Sequence, residues 1–467
     1  MKTKLFVFAI VVGFVLPPVC ISQQLHDSVN SKLKIAVEGF KNRYHSPSIV
    51  VVIVHDKEIV FSEAQGYIDL ENKIPAAIDS RYPVLSVTKM FTATMLMQLV
   101  QRNIVGINDD IKKYVPEYTG GSYQVNRSGT TLLQLATHTS GFPRNSPADI
   151  NFTKQVDKWL LTNTRYATID PSTKKEFLQS LKFIKKEYPE YELTSCGDRH
   201  YSNLGYSLLG IGLERAAKTD YAEYITTNIC KPLKMLNTGF ATESFNNTIL
   251  AKGYYFDDSA KTFVKTPVFK ANSALYAGGM YSTAMDLANF ISFQFENNSA
   301  DADKILSEKN RAMMRAFRIG WKPSFPYVLH EGAMLGYRCE IVCNPEARIG
   351  WVILTNTTDF EFSKMNEYIS QLVLPVYTKK TITDLHKYAG TYKLDGSYDS
   401  LKIYVKDGNL YSTYLQDALS ETPLISSGSS RFKGQGKGSY SIGYEFISND
   451  DGEIKLLNLG QLMWAKQ

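Results

Sequence analysis

The sequence has few cysteines and histidines, and none of them forms a familiar metal-binding pattern. Only 5 cysteines and 7 histidines occur among the 467 residues, and no Cys-x-x-Cys or His-x-x-x-His spacing is present. Such spacings are typical of metal sites, because they bring two ligands close together on a turn or a helix. We therefore expect no metal, and no other cofactor is expected either.

A strong charge of either sign is also missing. The chain carries 52 Lys and Arg against 46 Asp and Glu, a formal net charge of +6, and no basic cluster exceeds a few residues. Nucleic-acid-binding proteins usually concentrate positive charge on one face or in one stretch. We therefore expect no nucleic-acid partner.

Long apolar runs are absent beyond the amino terminus, so no transmembrane helix is expected in the mature chain. Residues 1–22 are the exception, because they contain an apolar run at residues 5–16. Two lysines precede this run and a proline-containing end follows it. This order predicts an export signal that is cleaved after Ser22, which makes the mature protein periplasmic or secreted. Lipid attachment at Cys20 is the alternative, and the bulky Val19 before it is unfavourable for a bacterial lipoprotein signal.

Four cysteines remain after signal removal, and an exported protein could pair them. Cys339 and Cys343 fall in one predicted strand, where four residues span ~13 Å. That separation exceeds the reach of a disulfide, so these two are not expected to bridge each other. The pairing of Cys196 and Cys230 stays open.

Strand patterns occur at both ends of a predicted large domain, residues 23–378. Residues 49–69 and residues 337–356 each predict an antiparallel hairpin. Between them the pattern is mainly helical, and the apolar segment 86–102 suits a helix buried inside the domain. The predicted fold is therefore α/β, with an antiparallel sheet flanked by helices and an all-helical region.

Two segments depart from this plan. Residues 151–191 are rich in Lys, Thr, Tyr and Asp, which indicates an inserted helical subdomain or flap. Residues 379–467 follow a linker-like stretch and show short alternating strands separated by Gly, Asp and Ser turns. They predict a small carboxy-terminal antiparallel β-domain, either a barrel or a sandwich.

A serine and a lysine three residues apart could form a nucleophile and its base. Residues i and i+3 share a helix face, so Lys89 would stand one turn from Ser86. A buried lysine loses proton affinity and can then take a proton from a hydroxyl. The alternative is a serine that only caps the helix and a lysine that reaches solvent. The motif alone does not decide, because Ser-x-x-Lys begins at Ser31, Ser86, Ser172 and Ser430.

Two further triplets are unique in the chain. The first is Tyr201-Ser202-Asn203, in which a phenol driven towards phenolate by a lysine could act as base. Asn203 could bond that lysine and a substrate carbonyl, or it could merely cap the following helix.

The second unique triplet is His330-Glu331-Gly332, just before a predicted strand. Its glycine could let a substrate lie along the backbone, and the next N–H, of Ala333, could complete an oxyanion hole. The alternative is an ordinary strand glycine beside an unrelated histidine.

Ser-x-x-Lys, Tyr-x-Asn and His-x-Gly, in this order, resemble the serine β-lactamase and penicillin-binding-protein superfamily. The resemblance is strongest to its branch of class C β-lactamases, D-alanyl-D-alanine carboxypeptidases and esterases, and it covers roughly residues 50–356. It implies that Ser86 is the nucleophile and that Lys89 and Tyr201 form the base system. It also implies that Asn203 and His330 line the cleft and that the N–H groups of Ser86 and Ala333 form the oxyanion hole.

The third triplet departs from the superfamily pattern, which is commonly Lys-Thr-Gly. His330 is mostly neutral at pH 7, and Glu331 adds a negative charge where a β-lactam carboxylate would dock. Arg338 is close in sequence and could compensate. We therefore expect weak or no β-lactam hydrolysis, and a small-molecule or peptide substrate with an ester, amide or D-amino-acid peptide bond.

Two alternatives remain for the function. The acyl-enzyme could pass its acyl group to an alcohol or amine, which would make the protein an acyltransferase. The chain could also be a non-catalytic binding relative that keeps the fold. A Ser-His-Asp site around His138 and Ser140 is disfavoured, because the chain has no Gly-x-Ser-x-Gly elbow.

Overall fold

A computed structural model describes the structure of this chain over part of its length. The predicted signal segment with Cys20, and also Cys196 and Ser430, lie outside the described residues. The described residues are 25–120, 129–162, 169–187, 200–240, 250–267, 270–296, 299–324, 326–377, 384–394, 400–414, 417–426, 431–435, 441–449, 452–459 and 462–467.

A seven-stranded sheet forms the centre of the large domain, and all its neighbouring strands pair antiparallel. Its spatial order is β3-β2-β1-β12-β11-β10-β9. These strands are β1 (Ser48–His55), β2 (Glu58–Asp69), β3 (Ile74–Pro75), β9 (Lys322–Ser324), β10 (Tyr327–Met334), β11 (Tyr337–Asn344) and β12 (Ile349–Thr355). Both ends of the domain thus build one sheet, as predicted.

The two central strands are apolar on both faces because both faces are covered. Every residue of β12 is buried, and in β1 only His55 is partly exposed. Alternate residues of β1 pack into two different hydrophobic cores, with Val50 and Val52 in one and Ile49 and Val51 in the other. Such continuous apolar strands are typical of a sheet enclosed by helices.

Helices cover both faces of this sheet, which confirms the predicted α/β class. Among the described residues, none of the helices combines the length and the hydropathy that crossing a membrane requires. The helices are α1 (Asp27–Arg43), α2 (Thr88–Gln101), α3 (Leu132–Ala136), α4 (Ile150–Thr162), α5 (Lys174–Ser180), α6 (Asn203–Ala217), α7 (Tyr221–Ile225), α8 (Leu275–Gly278), α9 (Ala284–Phe293), α10 (Ala300–Ile305), α11 (Glu308–Ala316) and α12 (Ser363–Tyr377).

Helix α2 is the central helix of the domain. Its residues from Thr88 to Leu99 are all buried, including Lys89. A helix that is apolar on nearly all sides is stable only inside a protein. The sequence pattern of segment 86–102 predicted this position correctly.

Helices α4 and α5 belong to the predicted insertion, so its described part is helical. Several hydrogen bonds join the insertion to the segment before α8, including those from Ser273 N to Ser172 O (2.9 Å) and from Asn272 Nδ2 to Pro171 O (2.9 Å). These bonds hold one end of the insertion against the domain near α8.

Short strands also lie between the helices. They form a three-stranded sheet in the order β4-β8-β5 and a two-stranded sheet β6-β7. Their bounds are β4 (Tyr82–Pro83), β5 (Gly239–Phe240), β6 (Tyr254–Asp257), β7 (Thr262–Lys265) and β8 (Met280–Ser282).

A closed antiparallel barrel forms the carboxy-terminal part of the chain. Its interior has a core of aromatic and aliphatic side chains that includes Tyr388, Phe446 and Trp464. Of the two predicted architectures, barrel and sandwich, the structure shows the barrel. Its strands are β13 (Gly390–Leu394), β14 (Ser400–Lys406), β15 (Asn409–Tyr414), β16 (Asp417–Ser426), β17 (Arg431–Gln435), β18 (Ser441–Ser448), β19 (Ile454–Leu459) and β20 (Leu462–Lys466).

The described cysteines are free thiols. Cys339 and Cys343 both lie on β11, and both are buried. The prediction that they do not bridge each other is therefore confirmed. Cys230 is also free and buried.

Candidate active site

Ser86 lies on a short 3-10 turn, Leu85–Val87, that leads directly into α2. Leu85 has a φ of 50°, a left-handed conformation that is strained for a residue with a side chain. The turn is fastened to the central sheet, because Cys339 Sγ on β11 donates to Val84 O at 3.0 Å. The serine therefore sits on a constrained turn at the electropositive end of a buried helix.

Lys89 stands one helical turn below the serine and is completely buried. Its Nζ is hydrogen-bonded to Ser86 Oγ at 3.0 Å and donates to Ala277 O at 2.7 Å. Burial holds the pKa of the amine well below its ordinary value, and the charges of Arg144 and Lys322 lower it further. The alternative of a lysine that reaches solvent is wrong, and a neutral amine here can accept the serine proton.

Tyr201 approaches the same serine from the loop before α6. Its hydroxyl donates to Ser86 Oγ at 2.7 Å, and Lys89 Nζ lies 4.9 Å from the centre of its ring. Burial raises the pKa of Tyr201 to about 12, although the hydrogen bond to Ser86 and the charge of Arg144 oppose this. The expected shift towards phenolate is therefore wrong. Near neutral pH Tyr201 is therefore a neutral phenol.

The middle residue of the Tyr-x-Asn triplet, Ser202, caps α6. Its hydroxyl accepts the Gly205 N–H at 2.9 Å, so the alternative of Asn203 as the cap is wrong. The Asn203 side chain lines the pocket beside the serine, where Nδ2 donates to Asn145 Oδ1 at 2.9 Å. Within the described residues no hydrogen bond joins Asn203 to Lys89, although the sequence had suggested one.

His138 holds this triplet in place. Its Nδ1 accepts the Ser202 N–H at 3.1 Å, and its ring centre lies 4.5 Å from that of Tyr201. A ring nitrogen that accepts a hydrogen bond carries no proton, so His138 fixes the backbone next to Tyr201. The contact agrees with a loop-locking histidine and not with a Ser-His-Asp triad.

His330 on β10 lies beneath the site rather than on its surface. The side chain is 2% exposed, and its Nδ1 lies 2.9 Å from Glu331 O. Burial lowers the pKa of His330 to about 3, and the positive charges of Lys89 and Lys322 contribute. The imidazole is neutral, as predicted, but it does not line the pocket that contains Ser86.

Glu331 and Arg338 line a different cavity, of about 290 Å³, together with Glu340. Arg338 Nε donates to Thr358 O at 2.7 Å, which holds its guanidinium there. Neither of these two side chains lines the pocket that contains Ser86. The charge of Glu331 still contributes to the raised pKa of Tyr201.

Gly332 is required by close packing against the serine turn. A Cβ here would lie 2.5 Å from Cys339 Sγ, 3.1 Å from Leu85 Cβ and closer still to Val84 O. The sequence suggested that this glycine makes room for substrate, whereas in the structure it makes room for the turn. Because β10 approaches so closely, Ala333 shares a pocket with Ser86.

A small pocket of about 100 Å³ opens beside Ser86. Asn203 and Ala333 contribute to its walls, as predicted. Phe152 and Pro171 of the insertion also line it, so this segment helps to shape the space next to the nucleophile.

No pattern in the sequence indicated that Arg144 and Lys322 lie near Tyr201. The guanidinium carbon of Arg144 lies 5.0 Å, and Lys322 Nζ 5.7 Å, from the centre of the Tyr201 ring. Lys322 reaches this position because it starts β9 and pairs with Leu329 of β10. No spacing in the sequence relates either residue to the serine, so only strand pairing and loop packing could reveal them.

The family model for beta-lactamase matches residues 33–374, which is most of the chain. The matched range contains all three motifs, Ser-x-x-Lys at Ser86, Tyr-x-Asn and His-x-Gly. The chain belongs to the beta-lactamase family.

One curated relative illustrates how distant other beta-lactamase-like sequences are. Beta-lactamase-like protein 2 of Dictyostelium discoideum is 27% identical over 349 residues, which are 71% of this chain and 60% of that protein. The chain therefore spans less than two thirds of that relative's length.

Solved structures of the beta-lactamase fold match more of the chain. An octameric penicillin-binding protein homologue from Pyrococcus abyssi covers 94% of this chain and 100% of its own, with 22% identity and a TM-score of 0.63. A class C beta-lactamase from Rhodobacter sphaeroides covers 74% and 100%, with 17% identity and a TM-score of 0.57. These likenesses establish the fold, and together with the family they support a function of the serine-hydrolase type.

The rate of acyl-enzyme formation should rise with pH through the pKa of Lys89. Only the neutral amine accepts the serine proton, and its pKa lies well below 10.5. His330 is already neutral, and Tyr201 keeps its proton to about pH 12. Neither group should therefore make the acylation rate fall again near neutral pH. Stopped-flow acylation by an activated ester between about pH 5 and 10 measures this. A rate that falls as pH rises would contradict Lys89 as the base.

Gly332→Ala should impair acylation far more than Gly39→Ala. The new Cβ must displace the turn that carries Ser86, and a displacement of about 1 Å can cost about 100-fold in rate. Gly39 is a matched control, because a Cβ there meets nothing within 4 Å. Ester turnover and urea denaturation should be measured for both variants. Turnover by Gly332→Ala within about twofold of the wild type would contradict this packing argument.

Proposed function

We propose that the protein is an exported serine hydrolase that acts through an acyl-enzyme at Ser86. Its proposed substrates are esters, amides or D-amino-acid peptides. The observation that supports this most is the pair of hydrogen bonds at Ser86 Oγ, 3.0 Å from Lys89 Nζ and 2.7 Å from the Tyr201 hydroxyl. A serine hydroxyl becomes a nucleophile when a base of suitable pKa lies within hydrogen-bonding distance.

In the proposed first step, Lys89 takes the proton of Ser86 while Oγ bonds to the substrate carbonyl carbon. The carbonyl oxygen becomes an oxyanion, for which the N–H groups of Ser86 and Ala333 are the proposed donors. The bond to the leaving group then breaks, and the leaving atom takes the proton held by Lys89, with the Tyr201 hydroxyl as the adjacent relay. In the second step water attacks the acyl carbon while Lys89 takes a proton from it, and the bond to Ser86 Oγ breaks as Oγ takes that proton back, which releases the acid.

We also propose that β-lactam hydrolysis is weak or absent, for a reason different from the sequence-based one. Glu331 lines another cavity, so its charge is not the main obstacle. The pocket beside Ser86 measures about 100 Å³, whereas pockets for drug-sized ligands usually measure about 300–1,000 Å³. Such a pocket suits a small acyl group better than a substituted bicyclic ring.

An acyltransferase is the second candidate, and one observation favours it. Phe152 and Pro171 add apolar surface to the pocket beside the nucleophile. Apolar walls reduce the access of water, which favours discharge of the acyl-enzyme by a bound alcohol or amine.

The domain assignment is part of this proposal. Residues 23–378 would form the catalytic domain, with residues 151–191 as an insertion that shapes the pocket. Residues 379–467 would form a separate domain, and residues 1–22 would direct export.

Ser86→Ala should abolish labelling by a fluorophosphonate probe, and Ser31→Ala should not. Ser31 begins another Ser-x-x-Lys motif and is exposed on α1, which makes it a matched control. Intact-mass measurement with a panel of esters, D-peptides and nitrocefin should show an acyl adduct for the wild type and for Ser31→Ala only. No labelling of the wild type would favour the non-catalytic binding relative, and equal labelling of Ser86→Ala would exclude Ser86 as nucleophile.

The same acyl-enzyme distinguishes hydrolysis from transfer. After loading with an activated ester, candidate alcohols and amines are added and the products are quantified. We expect free acid as the main product, because the proposed primary function is hydrolysis. An ester or amide of the acceptor as the main product would instead establish the acyltransferase.

A further inference from the structure

The pocket beside Ser86 contains a single acidic side chain, that of Asp149. Of the described residues in its walls, Asp149 alone has a charged side chain, and the others are apolar, hydroxyl or amide residues such as Phe152 and Asn203. The pocket measures about 100 Å³, so a group bound there lies close to all of its walls. Apolar surroundings lower the effective dielectric constant, which strengthens the attraction between this carboxylate and a positive charge.

Backbone hydrogen bonds hold Asp149 in this position. The Ser172 N–H donates to Asp149 Oδ1 at 2.7 Å, and the Asp149 N–H donates to Ser146 O at 2.9 Å. The Ser172 carbonyl in turn accepts the Ser273 N–H at 2.9 Å. Asp149 is therefore held at the pocket by the same contacts that attach the insertion to the segment before α8.

The second oxygen of this carboxylate has no partner of its own among the described residues. Asp149 Oδ2 accepts no hydrogen bond from them, and none of their Lys, Arg or His side chains forms a salt bridge with Asp149. The residue is half-buried, so a molecule in the pocket can reach it. Both oxygens of a carboxylate accept strong hydrogen bonds, which leaves Oδ2 available to a ligand.

Attachment of the insertion does not by itself require a charge inside the pocket. Asp170 makes the same kind of contact, since its Oδ1 accepts the Lys270 N–H at 2.7 Å, but it does not line the pocket. An asparagine could accept the Ser172 N–H as Asp149 does. The two aspartates therefore share a structural contact and differ in their position relative to the nucleophile.

We propose that Asp149 is a specificity-determining residue that binds an ammonium group of the substrate close to the scissile carbonyl. This inference rests on the proposed hydrolase function, because it names the substrate class for the same pocket. An ammonium has several N–H donors, of which one can bond Asp149 Oδ2. Asn145 and Asn203 line the same pocket and carry amide oxygens that can accept others. The same negative charge opposes a carboxylate here, which is a further reason for weak β-lactam hydrolysis.

The test compares ethyl esters of β-alanine, butyric acid and succinic acid, which present an ammonium, a methyl or a carboxylate group at the same distance from the carbonyl. Butyrylcholine and its uncharged isostere, in which a tert-butyl group replaces trimethylammonium, carry the difference on the leaving alcohol instead. The proteins are the wild type, Asp149→Asn, Asp149→Glu and Asp170→Asn. Asparagine at 149 keeps the acceptor for Ser172 and removes the charge, whereas Asp170→Asn removes a charge from the same insertion outside the pocket.

The readout is the ratio of kcat/KM for each charged ester to that for its uncharged isostere, divided by the same ratio for hydrolysis by hydroxide. A changed pKa of Lys89 cancels in this ratio, because it affects both esters alike. For an ammonium ester the wild-type ratio should exceed one, and Asp149→Asn should lower it about three- to tenfold. Asp170→Asn should leave it unchanged, and Asp149→Glu should retain part of it. Raising the ionic strength from about 0.05 to 0.5 M should reduce the wild-type ratio through screening.

A wild-type ratio at or below one for both ammonium esters would overturn the proposal. So would a ratio that Asp149→Asn leaves unchanged or that Asp170→Asn lowers equally. A preference for the β-alanine ester alone places the ammonium in the acyl group, and a preference for butyrylcholine alone places it in the leaving group. If urea denaturation shows that Asp149→Asn does not fold, the wild-type ratio, its salt dependence and Asp149→Glu decide.

Failure of the proposed function would give a different result. If the wild type hydrolysed none of these esters, the proposed function would fail, and calorimetric titration would test Asp149 separately. The wild type should then bind β-alanine ethyl ester about three- to tenfold more tightly than ethyl butyrate, and Asp149→Asn should lose this preference. Equal affinities of the wild type for the two esters would overturn the ammonium site.

Discussion

Burial of Lys89, with no acidic partner in the described part of the chain, is the constraint on which the rest of the site depends. An ammonium ion at this position would lose its hydration, and among the described residues it would gain the Ala277 carbonyl, the Ser86 hydroxyl and the faces of two tyrosine rings as partners. Burial therefore lowers the pKa of this amine and favours its neutral form. The same packing of α2 that builds the hydrophobic core thus creates the reactive pair.

The elements around the serine are held to each other through backbone atoms. Cys339 donates to Val84 O from the sheet, and Gly332 lets β10 approach the serine turn closely. On the other side, His138 accepts the Ser202 N–H next to Tyr201. These contacts fix the backbone next to Ser86 and Tyr201, and a supported backbone holds the geometry of the side chains that meet at Ser86 Oγ.

The buried groups around Ser86 differ in charge from the groups nearer solvent. Burial lowers the pKa of Lys89 and of His330 and raises that of Tyr201, which favours the uncharged form of each group, whereas Arg144 and Lys322 lie nearer solvent. Desolvation explains the pKa shifts of the buried groups, because burial penalises the charged form of each group. Water can stabilise the charges of Arg144 and Lys322.

The sequence by itself determined the α/β class, the buried helix from Ser86 and the order of the three triplets, because periodicity and short spacings are local properties of the chain. It could not determine that Tyr201 remains a neutral phenol, since burial depends on the whole fold. Nor could it show that Glu331 lines a separate cavity and that Lys322 joins the site. Those positions follow from the packing and register of β9, β10 and β11, which only the tertiary structure decided.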